Sequence, residues 1–296
     1  MSNKLFSGIM PAMITPINED GTLKAASAEQ IMKLELQAPI QGFYVNGATG
    51  EGPLLPEKTR REMAEIAVDV CRGRGVVINH IGAADAQSAF ALAKHAREIG
   101  CDAISSVLPN FFFKFPAAQI LDYYKRIADI SGLPVLVYAQ GLMNVDPVPF
   151  MKEAIKIDGV IGLKYTIKDY YDLHRITELN GGDINVINGP DETLICGLTM
   201  GADGGIGSTY NVMPEWFSEL YASFRVGDFE HARQTQFKIN RVIETLLSTG
   251  SVIDAVKAYF RMKGIDAGYA AYPAGHLTDE EYARIRREMI EEGIEL

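Results

Sequence analysis

The chain has 296 residues, is 47% hydrophobic and 22% charged, and carries a net charge of −10 with a pI near 5.1. That balance fits a soluble globular protein with a large core and argues against nucleic acid or an anionic membrane as partner. No apolar run has transmembrane length and no signal-type segment precedes the first strand-like residues, so a cytoplasmic protein without membrane contact is expected.

Taken in chain order, short apolar, β-branched runs recur at Ile9–Ile14, Gly42–Val45, Val76–Ile81, Ala103–Val107, Val135–Tyr138, Val160–Lys164, Asn185–Asn188 and Gly204–Gly207. Segments of helical periodicity lie between them, for example Glu57–Cys71, Ala86–Ile99, Gln119–Ile130 and Tyr170–Leu179. Pro56 and Pro116 stand where first helical turns begin, and Gly100 and Gly132 where helices stop. Strands alternating with helices predict an α/β fold, a (β/α)8 TIM barrel. A doubly wound open sheet fits less well, because Thr15-Pro16-Ile17-Asn18 after the first run holds no phosphate-binding glycine fingerprint. After Tyr210, Glu215–Phe224, Phe229–Leu247, Ile253–Met262 and Asp279–Glu291 read as helices without strands. The division expected is therefore a barrel over residues 1–225 and a helical C-terminal extension over 226–296 packed on it.

Cys71, Cys101 and Cys196 are widely spaced, and reduced thiols are expected. His80, His95, His174, His231 and His276 form no metal-binding spacing, so no metal site is expected.

A barrel of this kind carries its active site at the C-terminal strand ends. The polar residues there are Thr15, Asn46 to Glu51, Tyr138, Lys164, Thr166, Asn188 to Glu192, Ser208 and Thr209. Lys164 follows Val-Ile-Gly-Leu and is expected in the barrel mouth, where desolvation makes its amine nucleophilic. Pairing with a carboxylate, or an extended side chain reaching solvent, is the competing role. Tyr138 ends the preceding strand and serves either as a proton shuttle or as a core tyrosine. The turn Gly47-Ala48-Thr49-Gly50-Glu51-Gly52 offers backbone N–H groups and a hydroxyl to an anion. Asp191 and Glu192 would repel phosphate and suit polyol hydroxyls, although Asp191 also fits a helix N-cap. The run Phe111-Phe112-Phe113-Lys114-Phe115 is expected to pack on a neighbouring subunit or to line the site mouth.

The segments Gly42 to Glu51, the Tyr138 strand, Gly162-Leu163-Lys164, Asn188 to Glu192 and Gly201 to Asn211 occur in an order and spacing that resembles the N-acetylneuraminate lyase and dihydrodipicolinate synthase superfamily over nearly the whole chain. The resemblance implies a barrel with a helical tail, usually a homotetramer. It implies an imine between Lys164 and pyruvate with no other cofactor, Tyr138 as proton shuttle, and the pyruvate carboxylate on the Ala48–Thr49 turn. The likeness is strongest to the sialic acid lyase branch, which implies that Thr166, Gly189, Asp191, Glu192, Gly207 and Ser208 hold a hydroxyl-rich tail. The synthase branch has an arginine shortly after the tyrosine, and Tyr138-Ala139-Gln140-Gly141-Leu142-Met143-Asn144 has none.

Three departures stand out. Ala48 replaces a hydroxyl residue, Phe111 replaces a tyrosine contributed by a neighbouring subunit, and Ala139-Gln140-Gly141 replaces the usual Asn-Ile-Pro. The expected activity is cleavage of N-acetylneuraminate, or of a similar sugar-derived 2-oxo acid, to pyruvate and an aldehyde. The alternatives are a related aldolase or dehydratase on another 2-oxo sugar acid, a synthase-like condensing enzyme, and a 2-oxo acid binding protein with weakened catalysis.

Overall fold

The computed structural model describes residues 4–107, 114–140 and 145–296. Eight parallel strands, β1 (Gly8–Pro11), β2 (Gly42–Val45), β3 (Val76–His80), β4 (Ala103–Val107), β5 (Val135–Ala139), β6 (Val160–Tyr165), β7 (Asn185–Asn188) and β8 (Gly204–Gly207), pair in the order β1-β8-β7-β6-β5-β4-β3-β2. A parallel bridge between Ala12 and Tyr44, with the Met13 N–H donating to the Tyr44 carbonyl at 2.9 Å, joins the two ends into a barrel. The first apolar run is thus only partly strand. Ala12 to Ile14 leave the ladder to make this closure, which periodicity alone does not separate from strand.

The ring of helices is α1 (Ala25–Glu35), α2 (Glu57–Cys71), α3 (Ala86–Ile99), α4 (Ala117–Ser131), α5 (Pro147–Ala154), α6 (Tyr170–Thr177), α7 (Leu194–Thr199) and α8 (Pro214–Arg225). Their ends follow local chemistry. Asp85 caps α3 by accepting from the Ser88 N–H at 2.9 Å, and Gly100 ends it in the left-handed region. Asp169 caps α6 in the same way through the Asp172 N–H at 3.0 Å. Three further helices, α9 (Phe229–Leu247), α10 (Val252–Met262) and α11 (Asp279–Glu291), lie outside the ring. α9 packs along α8 and against α7, and α10 and α11 pack on α9. No helix among the described residues is long and apolar enough to cross a membrane.

Two apolar layers result. Met10, Ala12, Tyr44, Ile78, Ala103, Leu136, Ile161, Ile187 and Ile206 form the layer inside the barrel. Phe43, Val45, Val77, Ile104, Val137, Leu163 and Val186 pack outward against the helices. One irregularity sets the site. Val135 pairs with Val160, but Leu136 pairs with Gly162, so β6 holds one extra residue at Ile161. Strict alternation from the outward-packed Val160 would turn residue 164 outward as well. The bulge reverses the parity, so Leu163 and Tyr165 pack outward and Lys164 lies inside. Gly162 makes the bulge possible, since a Cβ there would lie 1.9 Å from the Asn185 carbonyl oxygen.

Candidate active site

Lys164 and Tyr138 are direct neighbours across the β5–β6 ladder. The Lys164 Nζ lies 4.7 Å from the centre of the Tyr138 ring and 4.5 Å from that of Tyr44. The lysine is only 5% exposed, and burial lowers its pKa from 10.5 to about 8, with Asp191 pulling in the opposite direction. About one amine in ten is then neutral at pH 7, against fewer than about one in a thousand for a free lysine. Burial raises the Tyr138 phenol above its ordinary 10. Thr166, which extends β6 through its N–H bond to the Ala139 carbonyl at 2.7 Å, opposes that rise. The Thr166 hydroxyl stands near the phenol without a well-formed bond, so its Oγ1 is buried and unpartnered.

Tyr44, His80 and Tyr138 form an aromatic wall, with the His80 and Tyr138 rings edge to face at 5.9 Å and the Tyr44 and Tyr138 rings at 6.3 Å. The Tyr44 hydroxyl donates to Ser105 Oγ at 3.1 Å. His80 accepts from the Val107 N–H at Nε2 and donates from Nδ1 to the Asn46 carbonyl, both at 3.1 Å. Burial and the Arg60 guanidinium push His80 down to about 3, so it stays neutral and serves as scaffold.

At the second strand end, Thr49 is buried and Ala48 exposed. Thr49 Oγ1 and Ser208 Oγ share a 2.6 Å hydrogen bond that ties the turns after β2 and β8 together. Thr15 does not face the cleft. It props this turn by donating to the Gly50 carbonyl at 2.7 Å. At the other end of the site, Asp191 is 8% exposed and its Oδ2 accepts from the N–H and the hydroxyl of Thr209, each at 2.7 Å. Burial raises Asp191 to about 6, with the two Thr209 bonds and Lys164 pulling it down. Asp191 is not the N-cap of the helix that follows it, because it is itself the first residue of a 3-10 turn and its side chain turns instead to the N–H of Thr209, which opens the 3-10 turn after β8. Gly189 holds the exit of β7 against β6 through its N–H bond to the Tyr165 carbonyl at 2.8 Å. Gly207 leaves room for the Asp191 carboxylate, whose Oδ1 would lie 1.9 Å from a Cβ there. Glu192 is half-buried and pairs with the exposed Lys168 at 2.6 Å. Phe111 to Phe113 and Gly141 to Asn144 lie outside the described residues.

The fold thus gathers Lys164, Tyr138, Thr166, Thr49, Ser208 and Asp191 around one mouth, with Gly189 and Gly207 shaping it and Glu192 at its edge. Sequence reading missed Tyr44, Ser105 and His80 as lining residues. The alternation of Gly42-Phe43-Tyr44-Val45 was the available signal for Tyr44, since it sets this residue opposite to the outward Phe43 and Val45. Chemically, the arrangement offers a partly neutral amine, a phenol beside it, a hydroxyl-bearing turn on one side and a buried carboxylate on the other.

The chain matches the model of the Dihydrodipicolinate synthetase family over residues 5–292. It is 31% identical over 280 residues to the N-acetylneuraminate lyase of Rhizobium meliloti (strain 1021), covering 94% of this chain and 93% of the relative. It is 34% identical over 246 residues to that of Escherichia coli (strain K12 / DH10B), covering 82% of each. Among solved structures, Proteus mirabilis N-acetylneuraminate lyase superposes with a TM-score of 0.92 at 28% identity, over 98% of this chain and 99% of that one. A Ruminococcus gnavus sialic acid aldolase superposes with a TM-score of 0.91 at 25% identity, over 97% and 98%.

Proposed function

The chain belongs to the dihydrodipicolinate synthetase family, and on that premise we propose that it is a Schiff-base lyase that cleaves N-acetylneuraminate, or a closely similar sugar-derived 2-oxo acid, to pyruvate and an aldose. The observation that carries this reading is the buried Lys164, lowered to about 8 and opposite Tyr138 in the ladder. The neutral Lys164 amine adds to the C2 ketone of the substrate, and loss of water leaves a protonated imine. A proton leaves the C4 hydroxyl, the C3–C4 bond breaks, and its electron pair moves into the imine to give an enamine. Protonation at C3 and hydrolysis then release pyruvate and restore the amine. Tyr138 is the proton carrier within reach of these steps. The Ala48–Thr49 turn receives the carboxylate. Thr166, Gly189, Asp191, Glu192, Gly207 and Ser208 hold the hydroxyl-rich tail. No cofactor beyond the imine enters this scheme.

Pyruvate with borohydride should leave a stable adduct on Lys164 and none in Lys164→Ala. An adduct on another lysine, or none, overturns the reading.

Ala48 and the Lys168–Glu192 pair favour a second reading in the same class, another 2-oxo sugar acid as the preferred substrate. Ala48 brings no hydroxyl to the carboxylate turn, and Lys168 partly neutralises the carboxylate expected to hold the tail. Pyruvate release from a panel of sugar acids decides between the two, because a strong preference for N-acetylneuraminate removes the second. We also propose, from the likeness to the family, that the enzyme is a cytoplasmic homotetramer.

A further inference from the structure

The helices outside the ring reach the site mouth at two points. On α9, Gln236 is 2% exposed. Its Nε2 donates to the Asp191 carbonyl at 3.2 Å and to Asn240 Oδ1 at 2.9 Å, and its Oε1 accepts from the Ile195 N–H at 3.1 Å. Asn240, one turn further along the same face, donates from Nδ2 to the Glu192 carbonyl at 3.0 Å. Both backbone carbonyls of the turn that carries Asp191 and Glu192 are therefore held by two amides of one helix. Gln236 also grips the first turn of α7, which fixes where that turn stands.

On α10, Lys257 is fully buried and its Nζ donates to Glu51 Oε2 at 2.6 Å and to the Tyr269 carbonyl at 2.8 Å. The other carboxylate oxygen of Glu51 accepts from the Ala271 N–H at 2.6 Å. Glu51 is two residues from Thr49 and has a φ of 55°, a conformation its side-chain partners help to hold. Apolar residues would fill the same space at no greater cost, since a buried ion pair roughly breaks even against packed hydrocarbon. What the amides and the ion pair add is a fixed position for the two turns they hold.

We propose that α9 and α10 are positioning elements for opposite ends of the substrate cleft. Gln236 and Asn240 set the Asp191–Glu192 turn for the aldose end, and the Lys257–Glu51 pair sets the Thr49 turn for the carboxylate end. This assignment rests on the lyase reading above.

The test uses the full chain and two measurements. Exchange of pyruvate methyl protons in D2O, with borohydride trapping for pyruvate affinity, reads the carboxylate end and Lys164 alone. Steady-state cleavage of N-acetylneuraminate reads both ends. Gln236→Met and Asn240→Ala should each raise KM for the sugar acid about tenfold while pyruvate exchange stays within about twofold. The pair Glu51→Gln with Lys257→Met should weaken pyruvate binding and slow exchange by about tenfold. Glu51→Gln alone keeps the shape of the site and should show the same direction, so the assignment stays testable if the pair does not fold. A loss that falls equally on both measurements in every variant overturns the proposal, because general destabilisation has no reason to split them. Wild-type protein that neither exchanges pyruvate nor traps it on Lys164 refutes the lyase reading instead.

Discussion

Holding the Lys164 ammonium at about 8 instead of 10.5 costs roughly 3 kcal/mol of folding stability at neutral pH. The sign follows from linkage: a lowered lysine pKa penalises the folded state wherever the unfolded lysine is charged. The penalty is full below about 8 and fades as the pH rises to 10.5. Reactivity runs the other way, because only the neutral amine attacks a ketone. Trapping of pyruvate on Lys164 should therefore accelerate from about pH 6 to about pH 8 and then level off. The Asp191 charge is what holds the ammonium up against burial, so Asp191→Asn should move that inflection to lower pH. Trapping rates measured across this range with both proteins check the point. An inflection that moves upward in the variant would contradict the electrostatic contact between the two side chains.

The strand ends carry the same logic at the level of whole elements. β8 is Gly-Gly-Ile-Gly, and its last residue matters through what it leaves empty. A Cβ on Gly207 would lie 1.9 Å from Asp191 Oδ1 and 2.7 Å from the Tyr210 ring. The carboxylate, gripped by Thr209 on its other oxygen, would have to swing away from the cleft. Gly207→Ala should lower kcat/KM for the sugar acid by about a hundredfold, while pyruvate still traps on Lys164. Kinetics on both reactions check this, and near-normal cleavage would remove Asp191 from the site. Much at this scale was legible in the sequence, because eight apolar runs in a double-covered parallel sheet need no alternation to be seen. What was not legible has local causes. The β6 bulge carried only one mark, a glycine inside an apolar run; α7, of 6 residues, is too short to show a helical period, and α5 opens on Pro147-Val148-Pro149, which interrupts one.

At the scale of the molecule, contacts distant in sequence were the hidden part. Lys257 reaches Glu51 from 206 residues away and Gln236 reaches Asp191 from 45 residues away. No local pattern signals either contact, although the Glu51 and Asp191 motifs were plain. Glu35 shows the same blindness, with a cost attached. It closes α1, where the helix dipole disfavours an anion, and it is 2% exposed with neither carboxylate oxygen hydrogen-bonded. Burial and the nearby Glu215 of α8 raise its pKa well above 4.5, and Tyr259 of α10 lies within its field. The folded chain thus keeps a proton that the unfolded chain gives up above 4.5. The ionisation part of the Glu35 cost is absent below that pH and grows as the pH rises toward the raised value. Replacing Glu35 by Met keeps the volume and removes the ionisable group. Glu35→Met should recover about 1–3 kcal/mol at pH 8 and raise Tm by about 2–4 °C for each kcal/mol. At about pH 3.5 the gain should shrink to the cost of burying the neutral, unpartnered acid, because both states then hold most of the proton. Melting curves of the two proteins at both pH values check the sign, and a gain that is larger in acid would mean that the Glu35 carboxyl is ionised and partnered in the folded protein.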